Sequence, residues 1–367
     1  MKTDFTCGFI GLGLIGGSIA HAMRKFYPAC HLMAWDSNDT TLARAVEDGV
    51  INDALSSPND HLTACDYLFL CAPVSSNISL IPKIKQYLSP TCLLTDVGSV
   101  KQGIHAQVKA VGLAKQFIGG HPMAGSERTG YINSRALLLE NAYYVLTPSE
   151  EVPSETVQEF SQLIASLGAI PLVLSDTLHD YITAAVSHLP HVVAASLVHL
   201  IQQSDTPDEL MKMIAAGGFK DITRIASSSP IMWQQICMTN TDNISSLLSQ
   251  YIEVLSQMKA QIDNQNETEI YQFFDEARQY RDSFIDAAKG PIKTAYTLQL
   301  DIADQPGALA SIVNLLASED ISIKNIGIVH NREQTDGVLQ VEFHNVESTK
   351  KAISFLRANG YIVYEKN

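Results

Sequence analysis

The chain has 367 residues, 46% of them hydrophobic, and a formal net charge of −14 at pH 7. At roughly 100–200 residues per domain this is two or three domains, and so acidic a chain with no long basic run is a poor fit to nucleic acid or an anionic membrane. The six cysteines, at 7, 30, 65, 71, 92 and 237, form no C-x-x-C pair, which reads as buried thiols in a reducing compartment and not as a disulfide framework or zinc site.

From the N-terminus, MKTDFTCGFIG is too short and too soon structured for a signal peptide. Residues 5–10 read as an apolar strand running into Gly11-Leu12-Gly13-Leu14-Ile15-Gly16, a G-x-G-x-x-G, followed by a helix over 18–26 and a strand over 31–35 ending in Asp36. Strand, glycine turn, helix, strand, acid is the order a dinucleotide site needs. Gly11 permits the tight turn, Gly13 lets backbone approach a pyrophosphate, and Gly16 lets helix and strand pack closely. The Asp36 carboxylate suits ribose hydroxyls and repels a 2′-phosphate, and Ser37-Asn38-Asp39-Thr40 offers no arginine. NAD is therefore expected over NADP.

Further strands are expected over 66–71, ending in Ala72-Pro73-Val74, and over 92–96, ending in Val97-Gly98-Ser99-Val100-Lys101. Phe117 and Ile118 read as the end of another, followed by Gly119-Gly120-His121-Pro122. Ligands bind outside the carboxyl ends of parallel strands, so Pro73, Ser99 and His121 should face one crevice. Strands over 143–146 and 170–174, with a helix over 154–167 between them, complete an expected doubly wound α/β domain, residues 1–172.

Helical patterns take over from about residue 176, giving an expected all-α domain over 173–290. A helix over 177–203, kinked at Pro190, is apolar nearly all round and should be buried in a helical core or between two subunits. It carries His179, His188, His191 and His199; the H-x-x-H pair has no acidic neighbour in sequence, so no metal is expected. The stretch 211–233 interrupts the helices and sets Lys220, Asp221, Arg224 and Trp233 around a Gly217-Gly218 hinge. Helices over 242–264 and 268–288 follow, and no run of about 18 apolar residues is read as a membrane span. After Gly290-Pro291, residues 291–367 read β-α-β-β-α-β, a small ferredoxin-like domain whose first loop, 304–309, starts a helix.

These motifs together resemble one family. GLGLIGGS at the start, TDVGSVK at 95–101, GGHPMAGSE at 119–127, SHLPH at 187–191 and GGFKDITRIA at 217–226 are similar to the prephenate dehydrogenases of the tyrosine pathway, with a C-terminal ACT domain. DQPGALA at 304–310 and IKNIGI at 323–328 carry the ACT resemblance. The resemblance implies NAD-dependent oxidative decarboxylation of prephenate to 4-hydroxyphenylpyruvate. His121 would be the base, Ser99 would hydrogen-bond it and help seat the nicotinamide, and Arg224 would clamp a substrate carboxylate. His179, His188 and His191 would lie around the substrate, with Glu127, Lys220, Asp221 and Trp233 in its wall. The cofactor would lie on residues 11–16, Asp36, Ala72, Pro73, Val74 and Ser99. The ACT domain would bind L-tyrosine as feedback inhibitor through Asp304, Pro306, Gly307, Ala308, Leu309, Asn325 and Ile326.

A homodimer joined through the apolar helices and a cytoplasmic location complete the expectation. Arogenate dehydrogenase is the alternative with the same motifs. A β-hydroxyacid dehydrogenase, which relies on a lysine in its helical domain, fits HPMAGSE and TRIA less well. A non-enzymatic sensor of NAD and an amino acid is the remaining alternative.

Overall fold

The structure, a computed structural model of the chain, describes residues 4–58, 61–125, 128–287, 296–302, 305–329, 337–343 and 345–365. Contacts divide it into one unit ending at Ile270 and a second beginning at Tyr271.

The first unit opens with β1 (Thr6–Ile10), α1 (Leu14–Phe26), β2 (His31–Trp35), α2 (Asp39–Glu47), β3 (Asp53–Ala54), β4 (Tyr67–Leu70), α3 (Val74–Ile84), β5 (Leu93–Asp96), α4 (Gln102–Ala110) and β6 (Phe117–Pro122). After them come β7 (Tyr143–Pro148), α5 (Ser154–Ser166) and β8 (Ile170–Val173). The eight strands form one sheet in the order β3-β2-β1-β4-β5-β6-β7-β8, a doubly wound Rossmann-like arrangement.

Two features depart from the sequence reading. The strand expected to end at Ile118 continues to Pro122, so His121 lies within β6, paired with Val145. β7 runs antiparallel to β6, because the connection between them holds short 3-10 turns instead of a crossover helix. Alternation along the strands divides the core in two. Cys7, Phe9 and Phe69 face one layer of helices; Ile10, Leu68 and Leu70 face the other. Burial on both faces is why these strands read as near-continuous apolar runs.

The helical region continues with α6 (Asp176–Thr183), α7 (Leu189–Ser204), α8 (Leu210–Ile214), α9 (Gly217–Thr223), α10 (Pro230–Thr239) and α11 (Thr241–Asp263), and α12 (Glu267–Ala287) crosses into the second unit. The kink expected at Pro190 appears just before it, as a π turn over Ala184–His188 between α6 and α7. There the Leu189 N–H reaches five residues back to the Ala184 carbonyl. Pro190 has no N–H to continue the ordinary ladder, and widening the preceding turn accommodates it.

Taken end to end, Asp176–Ser204 is 29 residues with a mean hydropathy of 1.5 in its most apolar window. Length and composition alone would let it cross a bilayer, which corrects the expectation that no such run exists. Its N-terminal half instead carries the buried pair His179 and Asp180, hydrogen-bonded to the nucleotide-binding part. The interrupted stretch expected over 211–233 is a chain of short helices, with α9 opening at Gly217. Among the described residues the helices bury little: their apolar cluster is Ala184, Ile236, Ile244 and Leu247.

The second unit holds β9 (Tyr296–Ile302), α13 (Ala308–Ser318), β10 (Ile323–Val329), β11 (Gly337–Phe343), α14 (Val346–Ala358) and β12 (Val363–Glu365). Its antiparallel sheet, β10-β11-β9-β12, is the ferredoxin-like arrangement consistent with an ACT fold. Leu298, Leu300, Leu339 and Val341 of the sheet pack on Ile312, Leu316, Ala352 and Leu356 of the two helices.

Candidate active site

The glycine motif follows β1. Gly11 adopts φ +91°, and a Cβ there would meet the Ala72 nitrogen at 2.9 Å, so only glycine makes the turn. At Gly16 a Cβ would meet the Gly11 carbonyl at 2.5 Å and the Cys71 Cβ at 2.8 Å, so strand and helix pack too closely for any other residue. Gly13 is different: apart from its chain neighbours, no described residue comes within 4 Å of its missing Cβ. It caps α1 without a side-chain hydrogen bond, leaving open space at a helix N-terminus suited to a pyrophosphate. Asp36, at the end of β2, accepts from the Leu12 N–H at 2.6 Å and the Asn38 N–H at 2.9 Å. Its carboxylate thus braces the glycine loop at the ribose position. The residues present fit NAD.

The ends of β4 and β5 meet beside this loop. A Cβ on Gly98 would lie 2.6 Å from the Val74 Cγ2, so the Ala72–Val74 turn and the Ser99 turn touch. Asn77, unremarked in the sequence, donates to the carbonyls of Leu70 at 3.1 Å and Ala72 at 2.8 Å and shapes the first turn. Lys101 is fully buried; its Nζ pairs with Asp96 and donates to the Gly120 carbonyl at 2.7 Å. The Gly120 N–H in turn donates to Asp96 at 3.2 Å. Asp96 and Lys101 therefore hold the residue before His121 from both sides. Burial pushes the Lys101 ammonium down, against the opposing pull of Asp96.

His121 keeps a partly exposed edge at the end of β6. Its Nδ1 lies 2.8 Å from Nε2 of His179, whose Nδ1 lies 2.8 Å from Oδ1 of Asp180. Asp180 also accepts the backbone N–H groups of Lys101 at 2.7 Å and Gln102 at 2.9 Å, capping α4 from α6. Burial holds His121 well below the usual histidine range, and His179, Lys101 and His188 add to the effect. Burial alone would raise the Asp180 carboxyl, but the bonds from His179, Gln102 and Lys101 outweigh it and leave it lowered. His121 is thus neutral near pH 7, able to accept a proton. Ser99 stands half-buried after β5 and makes no hydrogen bond to His121, contrary to expectation; that bond goes to His179.

The helical residues divide into two groups. His179 and His188 are buried, with 0% and 2% exposure, and His179 has both ring nitrogens engaged. It stands behind His121, not around an open site as expected. His188 faces the Asn240 amide at 3.2 Å, and the same amide donates to the Asp180 carbonyl at 2.8 Å. Burial pushes His188 down to about 4, against the pull of Asp180.

His191 is open on one side. It stacks on Trp233 with ring centroids 3.7 Å apart and donates Nδ1–H to the Ser187 carbonyl at 2.9 Å. Burial lowers His191, and the nearby Arg224 charge lowers it further. His191 and Trp233 line a largely apolar groove of about 520 Å³ with Val192, Ala195, Ile225 and Cys237. Arg224 opens a 3-10 turn after α9, while Lys220 and Asp221 are exposed on α9. Glu127 lies outside the described residues.

The residues expected at the tyrosine site occupy the second unit. Gly307, with φ +89°, precedes α13; Pro306, Leu309 and Asn325 are exposed, and Ala308 and Ile326 half-buried. The Asn325 side chain accepts from the Ile326 N–H at 2.9 Å. Asp304 lies outside the described residues. Lys101, Asp180 and Asn240 form the site although the sequence alone does not mark them. Lys101 closes the 95–101 motif, and Asp180 directly follows His179.

Known proteins share this arrangement. The family described as prephenate dehydrogenase, nucleotide-binding domain, matches residues 19–172, and prephenate dehydrogenase, dimerization domain, matches 175–276. The chain is 36% identical to a prephenate dehydrogenase of Bacillus subtilis (strain 168) over 95% of this chain and 94% of that one. The solved structure of prephenate dehydrogenase from A. aeolicus, in complex with hydroxyphenyl propionate and NAD+, superposes with a TM-score of 0.72 at 31% identity, covering 76% of this chain and 98% of that one. Synechocystis arogenate dehydrogenase gives a TM-score of 0.69 at 30% identity, over 76% of this chain and 99% of that one. With its dinucleotide loop, its half-buried histidine at the end of β6 and this likeness along nearly the whole length, the chain belongs to the prephenate dehydrogenase family.

Proposed function

We propose that His121, Arg224 and the Gly11–Asp36 cradle carry out the family's reaction in this chain. The protein is an NAD-dependent prephenate dehydrogenase of aromatic amino acid biosynthesis, an oxidoreductase acting on prephenate. The observation that carries the residue assignment is His121: a histidine kept neutral by burial, at the end of β6, which follows β4 and β5 in the sheet from the strand that carries the dinucleotide loop. NAD, when bound, accepts the hydride from C4 of the substrate. His121 takes the proton of the C4 hydroxyl, carbon dioxide leaves, and the proton returns to the oxygen as the ring becomes a phenol. Arg224 holds a substrate carboxylate in its planar fork. His191 and Trp233, stacked together, offer the ring a flat apolar wall. Among the described residues the indole N–H of Trp233 is buried without a hydrogen-bond partner.

The test is NADH formation by the purified chain with prephenate and NAD. Arogenate is the second reading, favoured by the likeness to the Synechocystis enzyme. It is assayed alongside, and turnover on arogenate alone would replace prephenate as the substrate.

The chain divides for function at residues 172/173 and 290/291. The helical part forms a homodimer: Ile231, Met238 and Ile252 are 70%, 75% and 55% exposed, an apolar surface a second copy would cover. Sedimentation at micromolar concentration tests this, and a monomer contradicts it. The C-terminal domain binds L-tyrosine and lowers activity, with Gly307 at the start of α13 offering helix N–H groups to its carboxylate. A chain ending near Lys289, equally sensitive to tyrosine, would assign inhibition to the active site.

A further inference from the structure

We propose that Asp180 and His179 are positioning residues that fix the tautomer of His121, so that its basic lone pair lies on Nε2. The proposal rests on the reading of His121 as the base and goes on to say how that base is prepared.

The inference follows from donor and acceptor counting along one chain of hydrogen bonds. Asp180 receives the Lys101 N–H on Oδ1 and the Gln102 N–H on Oδ2, at 2.7 and 2.9 Å. Two backbone donors at a helix N-terminus favour the ionised carboxylate, which can only accept. His179 Nδ1, 2.8 Å from Oδ1, must therefore carry a hydrogen. In the proposed chain His179 is the uncharged link, so its Nε2 is bare and accepts. His121 Nδ1 lies 2.8 Å from that nitrogen and must donate to it. The hydrogen of neutral His121 is thus on Nδ1, and Nε2 is left basic. When Nε2 takes a proton, the Nδ1–H still points at an acceptor, and the chain ends on the Asp180 negative charge. The triad of serine hydrolases uses one carboxylate and one histidine in this way; here a second histidine extends the reach.

His179 is 0% exposed, as is Asp180, so neither meets substrate directly. Asp180 also caps α4, whose own cap residue, Lys101, makes no side-chain cap bond. A structural role and a positioning role therefore coincide and must be separated by experiment.

Asp180→Asn removes the negative end of the chain and sets an amide N–H against either the Lys101 and His179 donors or the Gln102 donor, so the acceptor set that fixes the tautomers is broken. The expected result is a fall in kcat of about 10² or more, on the scale of a lost general base. The acid limb of the kcat/KM profile should move to lower pH, because the carboxylate that stabilises the imidazolium is gone, while the Kd for NAD stays within about twofold. His179→Gln, whose oxygen can accept from His121 Nδ1, should be about tenfold or more as active as His179→Leu, which cannot. A wild-type kcat or an unmoved acid limb in Asp180→Asn, or equal activity of the two His179 variants, overturns the proposal. His121→Asn keeps the two readings apart. If it turns over near normally, the assignment of the base fails. If it is inactive while Asp180→Asn is unimpaired, the positioning chain fails alone.

Discussion

The sheet and the helices of the first unit reach very different degrees of packing. In the sheet, Phe9, Phe69, Leu70, Phe117 and Phe160 are all fully buried, and both faces are covered by the chain's own helices. In the helical region, the closed apolar cluster among the described residues is Ala184, Ile236, Ile244 and Leu247, while Ile231 and Met238 stand open. A parallel sheet completes its core within one chain because each crossover helix covers a face. Helices joined end to end bury one side each, and the other side needs another surface. His121 is mounted on the first kind of structure and held from behind by the buried pair His179 and Asp180 of the second.

The largest effect bears on what the packed part does. His121→Asn should fold and bind NAD, yet lose about 10²–10⁴ in kcat, since asparagine cannot take the proton. Stopped-flow or steady-state NADH formation measures the loss, and cofactor fluorescence checks binding. Near-normal turnover would move the chemistry out of the sheet.

The packing contrast itself is tested next. Phe69→Ala in the sheet should cost about 3–5 kcal/mol in urea unfolding, and Met238→Ala within about 0.5 kcal/mol in the isolated subunit. Met238→Glu should instead shift the sedimentation profile toward monomer. Equal unfolding costs at the two positions would erase the distinction between the regions.

Acid should weaken the junction between them. His188 is held down to about 4 from an ordinary 6.5, so above pH 6.5 it is neutral both folded and unfolded and contributes no pH dependence. As pH falls from 6.5 toward 4, the unfolded chain takes up a proton that the folded chain refuses, and stability falls by about 3 kcal/mol. His188→Gln should flatten that part of the stability profile relative to wild type. A parallel pair of curves would mean His188 is not held neutral.

The smallest effect concerns the cofactor. Asp36→Ala should weaken NAD by about tenfold, the worth of a hydrogen bond or so, and narrow the preference over NADP. KM values for the two cofactors measure it, and a wild-type enzyme indifferent to the phosphate would contradict the reading of residues 36–40.

Legibility in the sequence followed the range of the interactions. The glycine loop, β2 ending before Asp36 and the order of the C-terminal strands were readable, because turn chemistry and period-two burial are written within a few residues. The π turn before Pro190 was half-readable: proline announces an interruption, but which turn widens depends on what packs around it. His179 was singled out, yet its role came out differently, because nothing local says that Asp180 will reach the N-terminus of a helix 78 residues earlier.

By itself the sequence determined where strands begin, which loop takes a dinucleotide and which histidine stands at a strand end, since local sterics and burial periodicity decide these. The tertiary structure alone decided that β6 runs on through His121 against an antiparallel neighbour. It alone decided that Lys101 and Asp96 grip Gly120, and that Asp180, His179 and His121 line up. Those contacts join residues far apart in the chain, and their partners exist only once the sheet and the helices have been brought together.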